Sequence, residues 1–296
     1  MQLRILRYFL VVAREESFSR AAEALHLTQP TLNRQITQLE EDLGVKLFER
    51  TKHKISLTKQ GLLFQRRAEE AVTLMNKAEE ELLQEEDKLA GTLAVGCGEY
   101  MCTTILADAI MEFSQKYPLV KFEVYTGIAD VIKERMDHGL TDMGVFMEPI
   151  DVDKYKFIRF KKPETWVASM RADDPLAAKE YVTRRDLADK PLIMPWRYKL
   201  REEISSWFGT DYDKLNVKML INLNGNSVPF AMKGYAYRIT LEGAQRFYDN
   251  KNLVYKKLYP ELKSNCVIAW KKGQPLNIVV LKFIDFMREY LERTDN

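Results

Sequence analysis

Between Gly61 and Gly91 the chain has neither glycine nor proline, and no proline separates Pro30 from Pro118. With nothing to interrupt it, 58–90 is expected to be one long helix stopped by Gly91. Such a helix divides the 296 residues into a short N-terminal part and a long C-terminal part. Within it Phe64, Ala68, Ala71, Met75, Ala78, Leu82 and Leu89 step by 4, 3, 4, 3, 4 and 7, an a/d seam broken only at Glu85. A helix packed on its own domain would show such a stripe too. The regularity, with acids filling the flanks, favours a partner helix, and the alanines permit close approach.

Charge follows the same division. From Arg50 to Arg67 there are six positive residues and no acid, whereas 68–90 holds eight acids against Lys77 and Lys88. A basic block seeks an anion, and the acidic stretch reads as a solvated helix face. The net charge of +2 neither demands nor excludes a nucleic-acid partner. At 46% hydrophobic residues the chain is built to bury a core, and no apolar run is long enough for a membrane span. The apolar run 6–13 carries Arg7 and lacks a small-residue cleavage site, so it does not read as a secretion signal. Sparse cysteines (Cys97, Cys102 and Cys266) fit a cytoplasmic protein without a disulfide framework.

The N-terminal part reads as three helices and a wing. Leu3, Leu6, Phe9, Leu10 and Ala13 share a face of the first helix. Ser17 or Ser19 caps a second over 20–26, where Ala21, Ala22 and Leu25 point inward. Thr28 caps a third, with Pro30 in its first turn, where a missing N–H is harmless. Leu32, Ile36, Leu39 and Leu43 form its buried stripe. Gln29, Pro30, Thr31, Asn33 and Arg34 occupy its exposed start, with Thr37 and Gln38 beyond. These are side chains that suit base edges and phosphates. Arg50, Lys52, His53 and Lys54 then lie between short apolar strands, a basic wing for the phosphate backbone.

After Gly91, strands at 92–98, 120–126 and 143–146 alternate with helical stretches, which implies a parallel sheet. A second set follows: strands 165–170, 192–195, 218–222 and 236–239, with helices at 200–208, 228–233 and 241–248. Strand 266–270 and a helix over 276–291 close the chain. Crossings near 161–164 and Asn265 define two lobes with a cleft between them. Ligands in such sheets bind at strand carboxyl ends. The candidates there are Tyr100, Thr103, Thr126 and Phe146, joined from the second lobe by Trp196, Asn226, Tyr235 and Tyr237. Each aromatic alone more often fills a core; their shared placement at strand ends singles them out.

The segments RAAEALHLTQPTLNRQI, LEEDLGVKLFER and LTKQG, all within 17–61, closely resemble the winged helix-turn-helix of LysR-type transcriptional regulators. The resemblance continues more loosely to the C-terminus. It implies an α+β two-domain protein: a winged helix-turn-helix at 1–58, a dimerising linker helix at 59–90, and an effector-binding domain at 91–296. That last domain would be two-lobed α/β like type 2 periplasmic binding proteins, with lobe I at 91–162 and 266–296 and lobe II at 163–265. The implied partners are an operator in double-stranded DNA, a small-molecule effector, further copies of the chain in dimers and tetramers, and RNA polymerase. No cofactor or metal is implied. Two departures stand out. Asn33 replaces the usual Ser, and Gly234, Tyr235, Ala236, Tyr237 and Arg238 replace a small-residue turn and apolar strand, which hints at an aromatic or anionic effector.

Rival classes find less support. Of three histidines, His26 and His53 fall in the DNA module and His138 ends a helix; no catalytic triad spacing occurs. Gly96 and Gly98 open a dinucleotide fingerprint, but Met101 stands where the third glycine belongs. There is no P-loop and no HExxH metal motif. Cys97 and Cys102 offer a redox switch if a helix start lowers the Cys102 pKa, although buried structural cysteines are commoner.

Overall fold

In the computed structural model the described residues are 2–50, 55–82, 89–243 and 251–294, with side chains at 50 and 80–82 left aside. The chain forms two compact units, 1–83 and 84–296.

The first unit contains α1 (Leu3–Glu15), α2 (Phe18–Ala24), α3 (Gln29–Leu43), β1 (Phe48–Arg50), β2 (Ile55–Leu57) and α4 (Lys59–Leu82). Ser17 caps α2 by accepting from the Arg20 amide, and Thr28 caps α3 by accepting from the Thr31 amide. Leu32, Ile36 and Leu39 are buried with Leu6, Phe9, Val12, Phe18 and Ala21. Leu43 is 38% exposed, contrary to its expected place in the stripe. The fourth buried position is Glu40, which is i+4 from Ile36. Its carboxylate accepts from the Leu47 and Phe48 amides at 2.9 and 3.1 Å and from Lys46 Nζ at 2.8 Å. It thereby anchors the start of the β1–β2 hairpin, which is antiparallel with Phe48 opposite Leu57.

Helix α4 starts against this wing. Thr58 Oγ1 donates to the Lys46 carbonyl and accepts from the Gly61 amide. A Cβ at Gly61 would stand 2.1 Å from the Leu47 carbonyl oxygen, so only glycine permits this approach. Two corrections concern the expected 58–90 helix. The described helix ends at Leu82, and 83–88 fall outside the described residues. Gly91 is no helix stop: it lies inside a strand at φ +122°, a conformation open to glycine.

The second unit opens with β3 (Ala90–Cys97), α5 (Cys102–Lys116), β4 (Leu119–Thr126), α6 (Ala129–Asp137), β5 (Met143–Met147) and β6 (Tyr155–Arg159). It continues with β7 (Glu164–Arg171), β8 (Tyr181–Thr183), α7 (Arg184–Leu187), β9 (Leu192–Pro195), α8 (Tyr198–Phe208) and β10 (Val217–Ile221). It closes with α9 (Val228–Met232), β11 (Tyr237–Leu241), β12 (Leu253–Tyr259), β13 (Lys263–Ser264), β14 (Cys266–Lys271) and α10 (Ile278–Arg293). One sheet has the order β4-β3-β5-β14-β6, the other β10-β9-β11-β7-β12-β8 with β13 beside β7. β3 is parallel to β4 and β5, as the alternating pattern requires, while β14 is antiparallel to β5 and β6. Leu241, the expected start of a helix over 241–248, ends β11, and 244–248 lie outside the described residues.

The chain leaves the first sheet after β6 and returns at β14. The Phe160 amide donates to the Cys266 carbonyl, and the Trp166 amide to the Leu262 carbonyl, so the two crossings run side by side. Trp166 is buried there and its Nε1 donates to Ser264 Oγ at 2.8 Å.

Candidate DNA-reading face and ligand cleft

The exposed start of α3 rests on a fully packed core. Gln29, Pro30 and Arg34 are exposed, whereas Thr31 and Asn33 are half-buried. The hydroxyls of Thr28 and Thr31 share a hydrogen bond of 2.8 Å, and Ser19 Oγ donates to Gln29 Oε1 at 3.0 Å. His26, at φ +53°, turns the chain between α2 and α3. Arg50 ends β1, at the near side of the hairpin; Lys52, His53 and Lys54 fall outside the described residues. The result is a polar helix start beside a hairpin whose connection is basic in sequence. Hydrogen-bonding side chains and a guanidinium can there meet base edges and phosphates together.

The seam of α4 is only partly free. Phe64 packs edge-on against Phe9 at 5.0 Å, Ala68 is 2% exposed, and Ala71 lies on the same core. These residues serve their own unit, because a heptad step marks an apolar face without saying which helix covers it. Leu89 is corrected outright: it precedes β3 and packs on the core of the second unit. Ala78 is half-buried, and the Leu82 side chain is outside the described set. Leu62, Leu63, Leu74 and Met75 stay exposed within the chain.

Within the second unit a small cleft of about 80 Å³, open to solvent, lies at the carboxyl ends of β3, β4, β9 and β10. It is lined by Tyr100, Gly127–Asp130 at the start of α6, Trp196, Arg197 and Asn222–Asn224, among others. Two links join the lobes across it. The Asn224 amide donates to Glu99 Oε2 at 2.6 Å, and Arg197 donates to the Met147 and Pro149 carbonyls, each at 3.2 Å. Burial holds the Lys133 ammonium below its ordinary pKa, and the Arg197 and Lys199 charges add to this. The local field is therefore basic, although Glu99 and Asp130 stand at the same cleft.

Of the eight expected ligand contacts, Tyr100 and Trp196 line this cleft. Thr103 does not; its hydroxyl donates to the Gly98 carbonyl at 3.2 Å and so holds a lining turn. Thr126 is exposed one residue before the lining stretch, and Asn226 is exposed two residues beyond it. Phe146 is core, 1% exposed under Tyr155 and the Lys133 ammonium. Tyr235 packs on Phe230, and the Tyr237 hydroxyl donates to Asp174. Those two sit at the wrong end. β11 runs parallel to β9 with Tyr237 opposite Leu192, so the amino end of the strand, not its carboxyl end, carries Tyr237. Sequence reasoning missed Arg197, which follows β9 directly and was legible as a basic residue at a strand end. It also missed Asn224, which had no such signal.

The lowered Cys102 pKa that a redox switch would need is not found, and both cysteines are buried. Burial pushes this thiol well up, and Cys266 and Glu164 add to the effect. Cys97 is also raised by burial, against a hydrogen bond with Thr103.

A reading helix beside a wing, and a second unit with a cleft between two α/β lobes, define a ligand-responsive DNA-binding regulator. The chain belongs to the LysR family of bacterial transcriptional regulators. Residues 3–62 match the family model of the bacterial regulatory helix-turn-helix protein, lysR family, and residues 86–292 match the LysR substrate binding domain. The HTH-type transcriptional regulator BsdA of Bacillus subtilis (strain 168) is 33% identical over 66% of this chain and 67% of its own. The uncharacterized HTH-type transcriptional regulator YybE of the same strain is 28% identical over 97% and 98%. In fold, full-length CbnR complexed with its target DNA superposes with a TM-score of 0.75 at 18% identity, over 98% of this chain and 100% of that one. The chain is thus a DNA-binding transcriptional regulator with a C-terminal effector-binding domain, in a family of regulators rather than enzymes. No described helix is long and apolar enough to cross a membrane.

Proposed function

We propose that this regulator reads a pseudo-palindromic operator in the cytoplasm through Gln29, Pro30, Thr31, Asn33 and Arg34, with Arg50, Lys52 and Lys54 on the flanking phosphates. The observation that carries this reading is the exposed polar start of α3 on a core that fixes its register. Copies of the chain pair through the uncovered face of α4 and build dimers and tetramers, and operator-bound copies act on RNA polymerase. Replacing Met75, 46% exposed, with Lys places an ammonium in that contact, where an unpaired charge is costly to bury. Light scattering on Met75→Lys is expected to show a smaller species than the parent. An unchanged size would mean that the face of α4 near Met75 stays open in the assembly.

The effector is a small anionic or aromatic metabolite held in the cleft. The α6 amides and Arg197 favour a carboxylate, and the indole of Trp196, 63% exposed, offers a stacking face. Binding acts on DNA affinity only if it favours one arrangement of the lobes over another. The test is operator affinity titrated with a panel of aromatic and aliphatic carboxylates. A response in the parent that Trp196→Ala weakens by about tenfold or more, with DNA binding retained, is the expected result. An equal response in both proteins would place the ligand elsewhere.

A further inference from the structure

Three buried donor groups meet where the lobes join. Cys102 opens α5, Glu164 opens β7 and Cys266 opens β14. Both sulfurs and a Glu164 carboxylate oxygen lie within 4.8 Å of one another. The residues are 1%, 1% and 0% exposed. Glu164 Oε1 accepts from the Cys102 amide at 3.0 Å, while Oε2 is fully buried with no partner of hydrogen-bond geometry. A buried carboxylate oxygen left this way is costly and calls for a proton or a cation. No Lys or Arg forms an ion pair with Glu164 among the described residues.

We propose that Cys102, Glu164 and Cys266 form a binding site for one divalent ion of borderline softness, of the Zn2+ type. Two thiolates with one carboxylate match that ion better than Mg2+ or Ca2+, which take oxygen ligands. Donors on a tetrahedral zinc stand about 3.3–3.8 Å apart, so side-chain rotation closes the cluster onto an ion. Binding releases both thiol protons to solvent and leaves Glu164 as carboxylate, so the cluster keeps one net negative charge and what the ion gives the buried carboxylate is a direct coordination bond. A disulfide between the same cysteines is the weaker reading, because it gives Glu164 Oε2 no partner. Glu164 begins the outgoing strand and Cys266 the returning one, so a bound ion would staple the two crossings and stiffen the joint between the lobes. Sequence spacing hides the set, since Cys102 and Glu164 are 62 residues apart.

The test uses the full-length protein, stripped with chelator under reductant, with Co2+ as spectroscopic probe and Zn2+ as competitor. One Co2+ per chain, with a thiolate-to-cobalt charge-transfer band that Zn2+ abolishes, is expected. Cys102→Ser and Cys266→Ser should each weaken uptake by about a hundredfold or more, and Glu164→Gln by about tenfold with the band kept. Cys97→Ser should bind as the parent does. If the serine variants do not fold, parental stoichiometry and Glu164→Gln decide. Absence of the band in the parent, loss of it in Cys97→Ser, or full affinity in Glu164→Gln overturns the site. So does a Cys102–Cys266 disulfide on mild oxidation in a protein that takes up no metal when reduced.

Discussion

Glu40→Ala is expected to lower the stability of the DNA-binding unit by about 2–4 kcal/mol, because it strands two buried amides that lose their acceptor. The two amides belong to Leu47 and Phe48, both within the core, and no other acceptor for them occurs among the described residues. Glu40→Gln keeps an acceptor oxygen and should recover most of the loss. Chemical denaturation of the parent and both variants checks this. The same carboxylate gives this unit a pH dependence. Burial pushes the Glu40 pKa up, but the hydrogen bonds from Lys46, Leu47 and Phe48 outweigh it, and the carboxyl ends below its ordinary value. The sign follows: this stability is full above the unfolded carboxyl pKa of about 4.3 and is lost as pH falls through the lower, folded value. Glu40→Gln should flatten that acid limb.

Trp166→Ala is expected to cost about 3–5 kcal/mol in the effector-binding unit, the range for emptying a buried indole site. The residue is 2% exposed, pairs through its backbone with Leu241 and Leu262, and donates to Ser264. Trp166→Phe separates the two contributions: it keeps most of the packing and loses the hydrogen bond, worth about 1 kcal/mol. Denaturant midpoints should fall less for Trp166→Phe than for Trp166→Ala. Equal, small losses in both variants would mean that the crossings are held by backbone pairing alone.

Much of this molecule is legible in its residues, and the failures have specific causes. Strands 192–195 and 266–270 carry continuous apolar runs of a kind that only a buried strand needs, and both stand close to where they were placed. The reading helix was legible because a cap, a proline and an apolar stripe agree on one register. Glu40 was not, because an acid at a core position looks like surface until its amide donors are known. Tyr237 was misplaced because apolar patterning marks a strand but not its direction in the sheet. Phe146 and Leu89 were assigned by position in the chain and claimed by the nearest core. The cleft itself followed from the rule that ligands sit at strand carboxyl ends, whereas its lining from 222–224 depends on how a loop folds back across the lobes.

The most direct test of operator reading by α3 is the salt dependence of binding, measured by fluorescence anisotropy. The probes are an operator recovered from genomic fragments and a random duplex of equal length. Parent, Arg34→Ala and Lys54→Ala are compared. Arg34→Ala should lose about 1–3 kcal/mol on the operator and much less on random DNA, since it removes a base contact. Lys54→Ala should weaken both duplexes alike and lower the salt slope by about 1, since it removes a phosphate contact. A flat salt dependence, or an Arg34→Ala loss that is the same on both duplexes, would contradict the assignment of sequence reading to the start of α3.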